Sequence, residues 1–187
     1  PSGEKEMVSI DEGIRFDASL ESLSGLKTLS DDGVITAGSS SQICDGAAAI
    51  MIVNDAGLEK LGLKPRAKIV SLALAGDDPV IMLTGPIPAS KTVLERADLS
   101  INDIDIYEVN EAFAPVPLAW AHELKADKEK LNVNGGAMAL GHPLGGTGAK
   151  LMTTLLHELG RREGKYGLQS ICEGGGTANA MIIERMS

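Results

Sequence analysis

Short apolar runs alternate with helix-like segments along most of this sequence, and that alternation restricts the chain to a mixed α/β fold. Residues 67–76 and 168–172 are apolar runs of the length expected for buried strands. Between them, residues 147–162 carry apolar side chains at helical spacing along one face. A triple glycine at 174–176 precedes a last apolar run, 178–183, and predicts a hairpin. The pattern therefore predicts a mixed sheet with helices on both faces.

Other elements are predicted from the same patterns. The apolar run 47–53 is bounded by turn residues, which is typical of a fully buried strand. Further strands are predicted at residues 33–37, 104–107 and 131–134, and further helices at residues 55–61, 86–97 and 111–124. Residues 1–30 are polar and charge-rich without a clear apolar period, so we expect them to lie outside the core.

Composition argues against several functional classes. The 187 residues suffice for one well-buried domain, and a net charge of −9 argues against a nucleic-acid-binding domain, which needs a basic face. No apolar run reaches the length of a membrane span, so we expect no membrane partner. Cys44 and Cys172 form no CxxC pair, and no metal site is expected. We expect reduced thiols in a cytoplasmic protein, with a structural disulfide as the alternative.

Asn110 stands where a predicted strand gives way to a predicted helix, in the segment NEAFA at 110–114. The ordinary role of such a residue is to cap the helix. The functional alternative is that its amide holds a water or an oxyanion at the carboxyl edge of the sheet, where ligand sites of α/β proteins lie.

His142 lies in the segment GHPLG at 141–145, just before the longest predicted helix. Proline fixes φ and glycine allows close backbone approach, so this turn can present the imidazole as a general base or an oxyanion donor. The alternative is a structural histidine. The same run is not a Walker A motif, because Ala149 rather than lysine follows Gly148. It does not match a dinucleotide motif either, which needs GxGxxG after a strand and an acidic residue about twenty positions on. His122 and His157 are expected on solvated helix surfaces.

Cys172 ends a predicted strand, in the segment CEGGG at 172–176. It is either a reactive thiol beside free backbone N–H groups or a small buried residue next to a hairpin turn. Cys44 has no such setting, and we expect it to serve in packing. Cysteine and histidine both exchange protons near neutral pH, so Asn110, His142 and Cys172 together suit acyl transfer through a thioester.

Four segments together resemble the thiolase family: SSQICDGAAA at 40–49, NEAFA at 110–114, NVNGGAMALGHPLGGTGA at 132–149 and CEGGG at 172–176. The resemblance extends over essentially the whole chain. It implies an α/β thiolase-like C-terminal domain with a mixed five-stranded sheet and helices on both faces. It also implies thiolytic cleavage of 3-ketoacyl-CoA or condensation of two acetyl-CoA, by an acetyl-CoA C-acetyltransferase or acetyl-CoA C-acyltransferase.

The resemblance assigns a role to each motif residue. Cys172 is implied to be the acid and base that moves the proton at the α-carbon of acetyl-CoA. His142 is implied to activate the nucleophilic cysteine and to help bind the thioester oxygen, while Asn110 holds the water that completes that oxyanion hole. The N–H of Gly174 resembles a donor of a second oxyanion hole that serves the acyl-enzyme.

Substrate contacts and domains are implied in the same way. Ser41 and Ala112 match positions near the pantetheine arm of CoA, which is a substrate; no tightly bound cofactor is expected. Residues 1–28 resemble the tail of the family's loop domain, and residues 29–187 its C-terminal domain. The expected partners are acyl-CoA, the N-terminal half of the same enzyme, and further copies in a homodimer or homotetramer.

The nucleophilic cysteine of the family belongs to the N-terminal half, and Cys44 falls in the wrong motif to replace it. We therefore expect the chain to be part of a longer enzyme and to be inactive by itself. One alternative is a non-catalytic thiolase-fold protein that binds lipid or CoA. Another is a ketoacyl synthase, although those enzymes generally have a second histidine where this chain has NEAFA.

Overall fold

The computed structural model describes residues 3, 5 and 7–186, so residues 1, 2, 4 and 6 of the predicted loop-domain tail and residue 187 lie outside the described residues. The helices are α1 (Leu20–Ser24), α2 (Asp55–Leu61), α3 (Pro86–Ala97), α4 (Pro115–Leu124), α5 (Ala137–Leu140) and α6 (Thr147–Arg161). The strands are β1 (Ala67–Gly76), β2 (Ile106–Val109), β3 (Tyr166–Glu173) and β4 (Thr177–Arg185). Short 3-10 turns lie at Ala37–Ser39, Ile101–Asp103 and Lys128–Lys130.

The strands form one sheet in the order β1-β4-β3-β2. β2 pairs with β3 in parallel, and β4 pairs antiparallel with both β3 and β1. The predicted mixed sheet is thus confirmed, as is the hairpin around the triple glycine. The predicted number of five strands is wrong for the described residues, which contribute four.

Three of the predicted strands do not form. Residues 33–37 make only an isolated bridge, from Thr36 to Thr28, before the 3-10 turn at Ala37–Ser39. The other two lack a neighbouring strand over their length. The run 47–53 is not a strand, and its Met51 and Ile52 are 71% and 70% exposed. A strand needs a second strand to take its N–H and C=O groups, and neither sheet edge pairs with this run. The predicted strand 131–134 makes a single bridge, from Leu131 to Tyr107, before Asn132 turns into the left-handed region at φ 47°.

Helices cover both faces of the sheet, as predicted. On one face, α3 and α4 pack over Tyr107 and Val109 of β2, with Trp120 fully buried. The Trp120 indole donates to Ser90 Oγ at 2.8 Å, so its one polar atom is satisfied inside the core. On the other face, α6 packs Leu155 and Leu159 against the sheet. These leucines belong to the apolar face predicted for this helix.

The parallel pairing of β2 with β3 positions the candidate residues. Parallel strands end at the same edge of a sheet, so Asn110, directly after β2, lies beside the end of β3 that carries Cys172. The chain that leads into α6, whose first residue is Thr147, reaches the same edge and carries His142. The topology therefore brings three separate motifs to one place.

Candidate active site

Asn110 continues the ladder of β2 and aims its side chain at His142. Its N–H donates to Ser170 O at 3.0 Å, and its Nδ2 lies 3.4 Å from His142 Nε2. The residue is 1% exposed, and its Oδ1 has no hydrogen-bond partner among the described residues. Helix α4 begins at Pro115 with Ala114 as its N-cap, so Asn110 does not cap it.

The segment that follows Asn110 is not helical before Pro115, which corrects the predicted helix start at residue 111. Ala112 O accepts from Ser41 N at 3.0 Å, and Ala114 N donates to Ser39 O at 2.9 Å. The Glu111 carboxylate accepts from Asn132 Nδ2 at 2.9 Å and from Met138 N at 3.1 Å. These four bonds come from distant parts of the chain, and they prevail over the local helical preference.

His142 is anchored through its backbone and its ring. Its N–H donates to Gln42 O at 2.7 Å, and its Nδ1 lies 2.5 Å from Thr147 Oγ1. The Thr147 hydroxyl donates to Pro143 O at 3.1 Å, so we assign the imidazole hydrogen to Nδ1. Nε2 is then an acceptor and faces the Asn110 amide.

Gly141 lets the backbone turn into His142. Its φ is +81°, in the region that favours glycine, and a Cβ there would collide with the Cys44 sulfur. The contact confirms a packing role for Cys44. It also explains why the turn before the imidazole requires glycine.

Burial holds both reactive groups in their neutral forms. It lowers the pKa of His142, and the positive charge of Lys150 lowers that pKa further. Burial raises the pKa of the Cys172 thiol, and a hydrogen bond from Asn110 partly offsets this effect. A neutral imidazole with an open Nε2 is ready to accept a proton, which is what a general base must do.

The candidate residues share one cleft of about 600 Å³. Ser41, Ala112, His142, Cys172 and Gly174 all line it, and Asn110 reaches it through the contact with His142. The remaining wall is largely apolar, from Ile43, Met82, Leu83, Phe113, Leu144 and Ile171. The structure therefore brings all six residues predicted from the sequence together.

Sequence reasoning missed two polar residues on the first turn of α6. Thr147 bonds the imidazole, and Lys150 Nζ donates to Leu140 O at 3.1 Å and to Gly141 O at 2.9 Å. They stand three positions apart just after the GHPLG turn, a spacing that puts both side chains on one side of a helix.

The remaining candidates lie away from the cleft. His122 and His157 are exposed on α4 and α6, as predicted. Among residues 3, 5 and 7–186, no group of three His, Cys, Asp or Glu side chains is arranged to hold a metal ion. None of the helices in that described part is both long and apolar enough to cross a bilayer.

The family profile of the thiolase C-terminal domain matches residues 63–185, more than half of the chain. This chain belongs to the thiolase family. The profile of the thiolase N-terminal domain matches residues 1–56. Ser41 thus lies in the segment matched by the N-terminal profile, and the other five candidate residues lie in the segment matched by the C-terminal profile.

Named thiolases resemble the chain over nearly all of its length. A steroid 3-ketoacyl-CoA thiolase of Mycobacterium tuberculosis is 55% identical over 95% of the chain and 43% of its own length. An acetyl-CoA acetyltransferase of Cupriavidus necator is 47% identical over 98% of the chain and 47% of its own length. The chain spans about half the length of these relatives.

Solved thiolase structures have the same fold. The crystal structure of the Bacillus anthracis acetyl-CoA acetyltransferase superposes with a TM-score of 0.90 at 45% identity, covering 94% of this chain and 45% of that one. Human mitochondrial 3-ketoacyl-CoA thiolase in complex with CoA gives 0.87 at 43% identity, covering 96% and 46%. The thiolase-like fold predicted from the sequence is therefore confirmed.

Proposed function

We propose that the full-length parent of this chain is a thiolase that cleaves 3-ketoacyl-CoA with CoA, or condenses two acetyl-CoA in the reverse direction. The observation that carries the proposal is the convergence of Asn110, His142 and Cys172 on one cleft. The names of the relatives, acetyl-CoA acetyltransferase and 3-ketoacyl-CoA thiolase, support the same reaction class.

The cleavage reaction begins with the cysteine that the family resemblance places in the N-terminal half. His142 Nε2 takes the proton of that thiol, and the sulfur attacks the 3-keto carbon of the substrate. The bond between C2 and C3 then breaks, and its electron pair becomes the enolate of acetyl-CoA. The Cys172 thiol gives its proton to C2, which completes acetyl-CoA and leaves an acyl-enzyme. The Cys172 thiolate then takes the proton of the CoA thiol, and the CoA sulfur attacks that thioester. The sulfur of the enzyme leaves and recovers its proton from His142, which releases the shortened acyl-CoA.

Two sets of donors stabilise the negative oxygens of these steps. For the thioester oxygen of the enolate we assign the protonated His142 Nε2 and a water bound by Asn110. The buried Asn110 Oδ1, which has no protein partner among the described residues, supports the water-binding role. For the acyl-enzyme we assign the N–H of Gly174 at the cleft wall. One oriented donor of this kind contributes about 3 kcal/mol to catalysis.

CoA enters this scheme as a substrate rather than as a tightly bound cofactor. We place its pantetheine arm along Ser41 and Ala112, which are joined by a backbone hydrogen bond of 3.0 Å and line the cleft together. The apolar wall of the cleft suits the uncharged pantetheine chain. One structural neighbour, the human mitochondrial enzyme, is described as a complex with CoA.

Exposed apolar surface supports a protein partner, which we take to be the rest of the N-terminal half. The run 47–53, matched by the N-terminal profile, is exposed and unpaired within the described residues. Leu72 and Leu74 on β1 are also exposed. We further infer assembly into a homodimer or homotetramer, and a boundary near residue 28 between the loop-domain tail and the C-terminal domain.

We place the parent enzyme in the cytoplasm. Cys44 and Cys172 are both free thiols, and reducing compartments keep thiols free. Some relatives are named as mitochondrial enzymes. Subcellular fractionation, with antibodies that mark the cytoplasm and the mitochondrion, distinguishes the two locations.

Replacing His142 tests the proposed function in the full-length parent. We expect His142→Ala to abolish thiolysis of acetoacetyl-CoA, because the nucleophile loses its base. The matched control is His122→Ala, which removes an exposed imidazole on α4 and should leave turnover unchanged. Normal turnover of His142→Ala would contradict the assignment of His142 as the base. Intact-mass measurement after exposure to acetyl-CoA separates the non-catalytic alternative, because a mere binder gains no acetyl group.

A further inference from the structure

The turn that carries His142 is tied to α6 at two points, and only one of them touches the imidazole. Thr147 binds the ring at Nδ1. Lys150, one helical turn later, places its ammonium on the carbonyls of Leu140 and Gly141, the two residues before His142. Both side chains leave the same side of the helix because they are three positions apart. The bonds from Lys150 to these two carbonyls have no role in the reaction steps proposed for His142.

We propose that Lys150 is a positioning residue, which orients the His142 imidazole by holding the carbonyls of Leu140 and Gly141. The inference rests on the proposed function, because it gives Lys150 a task in the reaction that His142 serves.

The backbone geometry explains why these carbonyls need a fixed donor. Leu140 is the last residue of α5, and the last carbonyls of a helix have no partner within the helix. Gly141 leaves the helical region at φ 81° and ψ 162°, so its peptide plane sets the direction in which His142 departs. Lys150 Nζ bonds the oxygens on both sides of this turn, at 3.1 Å and 2.9 Å. A displacement of about 1 Å at a catalytic group costs about 100-fold in rate.

The charges around Lys150 favour a second, electrostatic contribution. Glu108 on β2 is fully buried, and its pKa is raised to about 8 by burial and by the charges of Glu111 and Glu158, against the opposing charge of Lys150. Glu108 is therefore largely uncharged at neutral pH and does not itself offset the charge of the ammonium.

The groups that face the imidazole come from α6 and β3. Lys150 approaches from α6, and Cys172 and Glu173 line the cleft from β3. Burial keeps Cys172 in its uncharged thiol form, and Glu173 is exposed to solvent. The positive charge of Lys150 thus acts with burial to keep His142 neutral.

The test compares Lys150→Met with Lys150→Arg in the full-length parent. Methionine keeps the length of the side chain without the charge or the donors, so we expect kcat to fall about 10-fold to 100-fold with KM nearly unchanged. Arginine restores donors and charge, and most of the rate should return. The acidic limb of the pH–rate profile should move to higher pH in Lys150→Met but not in Lys150→Arg. Lys91→Met, on an exposed position of α3, is the control.

A measurement without turnover separates this inference from the proposed function. Diethyl pyrocarbonate reacts with an imidazole only in its neutral form, and peptide mass spectrometry follows its reaction at His142 against pH. Lys150→Met should shift the midpoint of that curve upward even if the parent proves to have no thiolase activity. The proposal is overturned if Lys150→Met keeps the wild-type midpoint or the wild-type rate. It is also overturned if Lys150→Arg fails to restore the rate. If Lys150→Met does not fold, Lys150→Gln takes its place in the same measurements.

Discussion

At the residue scale, Thr147 determines which nitrogen of His142 is free. Its hydroxyl accepts from Nδ1 and donates to Pro143 O, which leaves Nε2 as the acceptor that faces the cleft. A histidine without such a partner divides itself between two tautomers, of which only one is useful as a base. The hydroxyl therefore matters for the reaction although it touches no substrate.

Thr147→Val removes the hydroxyl and keeps the shape of the side chain. We expect kcat of the full-length parent to fall about 10-fold to 100-fold with little change in KM, because the ring loses its orientation. Steady-state thiolysis of acetoacetyl-CoA measures the effect. Thr153→Val is the matched control on the same helix, since the Thr153 hydroxyl only donates to Ala149 O within α6. Equal losses in both variants would argue against a specific role for Thr147.

Glu108 makes the stability of the protein depend on pH. Its pKa is about 8 in the folded protein, raised first by burial, against an ordinary value of 4.5. Between these values the folded state holds a proton that the unfolded state releases, so stability falls as pH rises. The penalty approaches about 1.4 kcal/mol for each pH unit in that window.

Glu108→Gln has no titratable group at this position, so its stability should not fall over this pH range. We expect its unfolding free energy, relative to that of the wild type, to increase from about pH 5 to about pH 8. Urea unfolding at several pH values measures the difference. Glu123→Gln, on the exposed side of α4, should show no such trend. A constant difference across the range would mean that Glu108 is ionised in the folded protein.

At the element scale, the non-helical segment after β2 depends on a close approach at Gly136. A Cβ at this position would collide with the Glu111 carboxylate, which bonds Asn132 and Met138 N. We expect Gly136→Ala to lower the unfolding free energy by about 1–3 kcal/mol, since overpacking forces Glu111 out of its bonds. Gly160→Ala on α6 has open space for a Cβ and should raise it by about 0.5–1 kcal/mol. Chemical denaturation of both variants checks the contrast.

Elements with a strong local period were predictable, and elements fixed by distant bonds were not. Helices α2 and α3 and strand β1 have the predicted bounds, because caps, prolines and apolar runs mark their ends. Residues 111–114 lost their predicted helix to bonds from Ser39, Ser41, Asn132 and Met138, which lie up to 75 positions away, from Ser39 to Ala114.

The candidate site was predictable for a similar reason. Asn110 follows a predicted strand, Cys172 ends one and His142 lies just before a predicted helix, and their segments resemble those of the thiolase family. The pairing of β2 with β3 then places Asn110 and Cys172 at one edge. Thr147 and Lys150 act through hydrogen bonds to the His142 ring and to the carbonyls before it, and nothing in the apolar pattern of α6 marks them.

At the scale of the whole molecule, apolar side chains remain exposed where a folded partner is proposed. Leu74 on β1 is 79% exposed, and the unpaired run 47–53 is exposed as well. Exposed apolar side chains of this kind favour an interface with another protein segment. It fits the match of residues 1–56 to the N-terminal domain, whose remainder we take as the partner.

Leu74→Ser should act oppositely in the two forms of the protein. In the 187-residue chain it removes exposed apolar surface, so we expect less aggregation, measured by light scattering. In the full-length parent it places a polar group in the proposed interface, and we expect a lower midpoint of thermal unfolding. An unchanged midpoint in the parent would place Leu74 outside the interface.

The β3–β4 hairpin carries Cys172 and Gly174 two positions apart, both on the wall of the cleft. Their separation is set by a single turn, so it changes little when the surrounding helices shift. For inhibitor design, the distance between the Cys172 thiol and the Gly174 N–H is therefore a fixed one. An electrophile for the thiol and an oxygen acceptor for the N–H belong on one short, rigid scaffold. Selectivity among related enzymes then has to come from the apolar wall opposite, where Met82, Leu83 and Phe113 stand.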